Sequence, residues 1–159
     1  MKITLFMIGK VREPFLKEGV SLYLSRLSPF HTISLVEIPE DRISGIDSPA
    51  KIIQKKDSEA TRLLEHSESA ATLIALDAEG ESWTSGELAI RLKSLELKGM
   101  GPLVFLIGGS LGISPSLLDR ADHTLSLSRL TFPHQLVPLL LLEQIYRATC
   151  INRNIPYHK

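Results

Sequence analysis

Leu103-Val104-Phe105-Leu106-Ile107-Gly108-Gly109-Ser110-Leu111-Gly112 joins five consecutive apolar residues to a turn carrying three glycines. An apolar run of this length, closed by glycine, reads as a strand buried on both faces, the kind that lies inside a parallel sheet. Ligands of open α/β sheets sit beyond the carboxyl ends of the strands, so this turn is where a site is expected. A side chain at Gly108 is expected to fill ligand space while leaving the fold intact, because glycine lets a ligand approach the backbone closely.

Outward from this stretch, similar runs lie at Ile3 to Ile8, Ile33 to Ile38, Thr72 to Leu76 and Thr124 to Leu127, with amphipathic segments between them. That alternation predicts an α/β domain, a parallel sheet with flanking helices. Ser48-Pro49 and Ser114-Pro115 each offer an N-cap followed by proline at the first helical position, and Thr84-Ser85-Gly86-Glu87 has the spacing of a capping box. The last helix is expected between Pro133 and Asn152, followed by a polar tail from Arg153 to Lys159. No repeat or linker is visible, so residues 1–159 read as a single domain.

With 43% hydrophobic and 23% charged residues the composition is that of a globular chain. The opening apolar run is too short for a signal-peptide core, and Leu139 to Leu142 is far too short for a membrane span. Cys150 is the single cysteine, which precludes an internal disulfide and fits the cytoplasm. Eighteen basic residues balance eighteen acidic ones, against a simple nucleic-acid glove. From Arg129 onward, however, Arg129, Arg147, Arg153 and Lys159 face only Glu143, with His134 and His158 beside them. The four leucines 139–142 span most of a helix circumference, so a second copy is expected to cover part of them.

Several chemistries are weighed on the residues alone. Gly108 to Gly112 also spells G-x-S-x-G, and Ser110 with Asp119 or Asp122 and then His123, His134 or His158 has the order of an α/β-hydrolase triad. Against it, Ser114-Pro115 starts the next helix several residues too late for a nucleophile elbow. The first strand ends in Gly9 alone, without a dinucleotide fingerprint, and no P-loop occurs. The five histidines never fall at metal-ligand spacing, so no metal is expected and each reads as a surface or capping residue. Leu127-Ser128-Arg129-Leu130-Thr131-Phe132-Pro133-His134 is an apolar loop whose amide groups need partners, either a heterocyclic ligand or another loop.

Leu106-Ile107-Gly108-Gly109-Ser110, Thr131-Phe132-Pro133-His134-Gln135, Glu143-Gln144-Ile145-Tyr146-Arg147-Ala148 and the ending Tyr157-His158-Lys159 together resemble the RlmH family. These are SPOUT-class methyltransferases acting on pseudouridine N3 in helix 69 of 23S ribosomal RNA, and the likeness covers essentially the whole chain. The resemblance implies a trefoil-knotted α/β homodimer that uses S-adenosyl-L-methionine. It also implies cofactor contacts at Leu76, at Gly108 and along Leu127, Ser128, Arg129, Leu130, Thr131 and Phe132. His158, on a tail with little to anchor it, is the first choice for the base that takes the N3 proton, and Glu143 the second. Arg147 and Arg153 suit phosphate or substrate carbonyls, and Tyr157 suits stacking on a base. Pro138 stands where the family commonly has arginine, and proline there either begins the regular helix or kinks it. A ribosome-binding factor without catalysis is the alternative function.

Overall fold

Five strands form one sheet in the order β2-β1-β4-β3-β5, every neighbouring pair parallel. The computed structural model describes residues 1–41 and 48–159. Along the chain the elements are β1 (Lys2–Ile8), α1 (Pro14–Leu27), β2 (Thr32–Ile38), α2 (Pro49–Glu65), β3 (Thr72–Ser82), α3 (Ser85–Leu97), β4 (Leu103–Ile107), α4 (Pro115–Leu118), β5 (His123–Ser126) and α5 (Val137–Asn152). A single 3₁₀ turn, His134–Leu136, leads into α5.

The central strands are buried on both sides, as their unbroken apolar runs require. Ile3, Leu5 and Met7 of β1 join Leu103, Phe105 and Ile107 of β4 in one core with α1, α3 and α5. The alternate residues Phe6, Ile8, Val104 and Leu106 form the second core with α2 and α4. Phe105 is wholly buried; emptying a site of that size usually costs about 3–5 kcal/mol.

The expected helix starts are present: Ser48 and Ser114 accept from the Lys51 and Leu117 amides, and Thr84 and Glu87 close a reciprocal capping box. Pro138 lies in the first turn of α5, where its missing N–H has no helical partner to lose, so it begins the helix and does not kink it. β3 is longer than expected. It pairs with β4 as far as Leu76, then rejoins β5 at Glu81 and Ser82 after an irregularity. Its continuation, Asp77-Ala78-Glu79-Gly80-Glu81-Ser82, has no apolar alternation by which sequence could mark a strand.

The leucine run is covered largely by its own chain. Leu141 and Leu142 are fully buried. Leu139 packs on Gly19 of α1, and Leu140 lines a small cavity with Trp83 and Leu88 of the α3 side. α5 packs against both α1 and α3, so two of the four leucines need no partner, while Leu139 and Leu140 remain partly exposed.

One histidine expectation also needs correcting. His66 is a capping residue, its Nδ1 bonded to the Arg62 carbonyl, but His31 is buried in the core. Thr149 Oγ1 donates to the Ile145 carbonyl and so accepts from His31 Nε2, leaving Nδ1 without a partner. Burial, with the nearby N-terminal ammonium, holds His31 below the usual histidine value. The folded state therefore keeps it neutral while the unfolded chain binds a proton as pH falls. Stability should be full above about pH 6.5 and drop below it, by at most about 1.4 kcal/mol per pH unit. Urea unfolding at about pH 7.5 and pH 5.5 checks this, and His31→Gln, which keeps a donor for Thr149, should lose less between the two.

Candidate active site

The carboxyl ends of β3, β4 and β5 open into a cleft of about 600 Å³, inside the roughly 300–1,000 Å³ range of small-molecule sites. Leu76 lines it where β3 leaves β4, Gly108 lines it beyond β4, and Leu127, Ser128, Leu130, Thr131 and Phe132 supply the third wall. Arg129, in the middle of that wall, is exposed and outside the lining. Leu130 is 74% exposed, so it forms an open rim.

From Ser128 to Phe132 the backbone makes no backbone–backbone hydrogen bond among the described residues. The segment is held by Ser126 Oγ donating to the Ser128 carbonyl at 3.0 Å and by the Leu130 amide donating to Ser128 Oγ at 2.9 Å. Among the described residues the amides of Arg129, Thr131 and Phe132 have no hydrogen-bond partner, so no second loop among them satisfies this segment.

Gly108 and Gly109 are glycines for reasons internal to the fold. A Cβ on Gly108 would stand 2.6 Å from Ile113 Cγ1 and 3.0 Å from the Gly112 carbonyl, so the turn could not close. A substituted Gly108 therefore disturbs the fold before it meets any ligand, contrary to expectation. A Cβ on Gly109 would stand 2.8 Å from Glu59 Oε2. Glu59 is 2% exposed, and neither of its carboxylate oxygens has a hydrogen bond of good geometry among the described residues. Its nearest cation is Lys55 Nζ at 3.8 Å, which also binds Glu40 at 3.0 Å. Desolvation raises the Glu59 carboxyl above its ordinary value, whereas the bonds from Lys55 and Ser110 hold Glu40 below it.

Ser110 Oγ donates to Glu40 at 3.0 Å, and no histidine bonds it among the described residues. The hydrolase arrangement is thus not assembled. His134 has a different place: its Nε2–H donates to the Ile8 carbonyl at 2.7 Å, leaving Nδ1 as the acceptor of the neutral ring.

The remaining candidates come together, but elsewhere. Glu143 is paired with Arg147; Tyr157 donates to Glu143 at 3.0 Å and accepts from Tyr23 at 3.1 Å. Arg147 lies over the Tyr157 ring and within 3.5 Å of His158 Nδ1. The tail is consequently docked, with Tyr157 also edge-on to Tyr146 at 4.9 Å. None of Glu143, Arg147, Tyr157 and His158 lines the cleft. At 1.5 Å per residue, Glu143 and Arg147 lie roughly 9 and 15 Å farther along α5 than Val137, which does. Burial and its hydrogen bonds to Tyr23 and Glu143 push the Tyr157 phenol up, so it stays protonated and serves as a donor. Arg153 is occupied with Glu96 at 3.7 Å.

Residues 1–158 match the family described as predicted SPOUT methyltransferase. The chain belongs to the SPOUT methyltransferase family. Among its relatives are proteins named ribosomal RNA large subunit methyltransferase H from Symbiobacterium thermophilum, 46% identical, Carboxydothermus hydrogenoformans, 43%, and Bacillus cereus, 42%. Each match covers 100% of both chains. Among the described residues no helix is long and apolar enough to cross a membrane, and no group of three or more His, Cys, Asp or Glu could hold a metal ion.

Sequence reasoning missed one residue of the cleft and several around it. Asp77, directly after Leu76, is the one carboxylate lining the cleft, and the strand-end rule that found Leu76 could have found it. Glu40, Lys55, Glu59 and Tyr23 had no local signal, because their partners are distant in the chain. Because the Glu59 carboxyl is raised, it favours the folded state when protonated and opposes it as pH rises through its folded value. Glu59→Gln should therefore be the more stable form near pH 7.5, by on the order of 1 kcal/mol, with the advantage fading toward pH 4.5 in urea titrations. Gly108→Ala should lower the melting temperature and methyl-donor affinity together.

Proposed function

We propose that the chain methylates large-subunit ribosomal RNA, using S-adenosyl-L-methionine, at N3 of a pseudouridine in helix 69 of 23S RNA, and that it works as a cytoplasmic homodimer. The observation that carries this reading is the cleft beyond β3, β4 and β5 with its row of unpartnered amides, in a chain whose relatives bear the name of a ribosomal RNA methyltransferase.

The cleft suits the cofactor in size and in chemistry. The amides of Thr131 and Phe132 would read the edge of the adenine, with Leu76, Leu127 and Phe132 covering its faces, and Asp77 offers a negative charge to a cationic ligand. S-adenosyl-L-methionine supplies a methyl group on a sulfonium, already activated for transfer. The protein must then position the acceptor nitrogen in line with that bond and help its proton leave. Glu143 already accepts from Arg147 and Tyr157, and those bonds must yield before it takes a proton. His158, exposed at the end of the docked tail, is the better base. Arg147, beside it, would hold a phosphate or a substrate carbonyl.

A single copy keeps the tail cluster away from its own cleft. A second copy placing its Tyr157–Lys159 at the first one's cleft would complete the site, and this is our reason for a homodimer.

Mass spectrometry of ribosomal RNA after incubation with ribosomes and labelled cofactor tests the reaction. A methylated pseudouridine in helix 69 is the expected product; an unmodified RNA sinks the proposal. Calorimetry showing no S-adenosyl-L-methionine binding would leave a non-catalytic ribosome factor. His158→Ala should lower turnover at saturating RNA by on the order of a hundredfold with cofactor affinity kept. A variant affected only in its RNA requirement would make His158 a phosphate contact. Sedimentation should show a dimer at micromolar concentration.

A further inference from the structure

Beside the cleft lies a larger groove, of about 1,110 Å³, that the cofactor does not need. Its walls are the β1–α1 connection, the first turn of α1, the end of β2, Lys55 of α2, the glycine turn and the Pro133–Leu136 segment. Ser110, Leu111 and His134 line both spaces, so groove and cleft adjoin there.

The groove's charges divide into occupied and free. Lys55 is held by Glu40 and Glu59, and Asp41 pairs with Arg62 at 2.9 Å. Lys10, Arg12 and the acid Glu13 are exposed and have no ion-pair partner among the described residues, so the free charges are two cations and one carboxylate. The loop that carries them is pinned on both sides: the Val11 amide donates to Glu37 at 2.8 Å and the Arg12 amide to Gln135 at 2.5 Å. At the same rim stands Phe15, 66% exposed, an aromatic ring that its own chain leaves uncovered.

We propose that this groove is where the RNA strand flanking the target nucleotide docks, with Phe15 as a stacking platform for an unpaired base and Lys10 and Arg12 as phosphate contacts. The proposal rests on the reading of the chain as an RNA methyltransferase. An exposed ring beside two free cations on a pre-ordered loop is the combination by which proteins hold unstacked nucleotides. A second copy of this chain is the competing occupant of Phe15. The groove favours RNA because it is concave and carries the charged side chains Lys10, Arg12, Glu13, Glu40, Asp41 and Lys55 in its walls, whereas the centre of an interface between like subunits is poor in charge. The N-terminus of α1, which no side chain caps, opens at this rim and adds a favourable field for phosphate.

The test uses the full-length protein. Phe15→Ala should raise the KM for ribosomes on the order of tenfold, with S-adenosyl-L-methionine affinity, melting temperature and sedimentation unchanged. Phe15→Tyr should restore it and Phe15→Leu should not. Removing both Lys10 and Arg12 should lessen the salt dependence of binding to deproteinised large-subunit RNA, reducing the log–log slope by about 1.4. A photo-crosslinking phenylalanine at position 15 should give RNA adducts. Unchanged KM with no RNA adduct overturns the groove assignment, as do protein–protein adducts with altered sedimentation, which would make this face a subunit interface. RNA adducts from a protein that methylates no ribosomal RNA would refute the functional reading and leave the groove standing.

Discussion

The backbone of the turn after β4 is packed from two sides, and much of the site depends on that contact. Ile113 and the Gly112 carbonyl lie against Gly108, while the Glu59 carboxyl lies against Gly109. A Cβ at Gly108 would displace Ile113 and the Gly112 backbone, and one at Gly109 would push the Glu59 carboxylate aside. The turn thus becomes a thin partition between the cleft and α2. The buried strand Leu103–Ile107 holds one end of it and the α4 cap at Ser114 holds the other.

A carboxyl in that position is expensive. Glu59 is removed from water with only Lys55 at 3.8 Å and the Asp41 amide near it, and a buried charge with imperfect partners usually opposes folding. Its geometry nevertheless links α2 to the turn through Lys55, Glu40 and Ser110, four side chains from three separate parts of the chain. Such polar links fix position more than they add stability. Here they hold Ser110 at the boundary shared by cleft and groove.

The distribution of the other candidates has its own physical logic. α5 begins at the cleft with Val137 and carries Glu143 and Arg147 away from it, so one rigid helix separates the cleft from the tail cluster. The tail returns through Asn154, whose φ of 53° reverses the chain, and Tyr157 then docks against Tyr23, Glu143 and Tyr146. In the proposed homodimer, such a rigid helix would present the tail cluster to a copy of the chain and not to its own cleft.

By itself the sequence determined the parallel sheet, the helix starts and the location of the cleft. These follow from local causes: apolar runs too continuous for one-sided strands, hydroxyl caps before proline, and glycines at a strand's carboxyl end. The catalytic candidates were legible only as a set, through motifs near the C-terminus. Tertiary structure alone decided that Gly108 answers to Ile113, that His31 is buried against Thr149, that Leu141 and Leu142 of α5 are covered in cis, and that the tail is docked away from the cleft. Each of those facts is a contact between residues far apart in the chain, and periodicity, which reports only which face of an element is apolar, carries no information about what that face or its neighbours will meet.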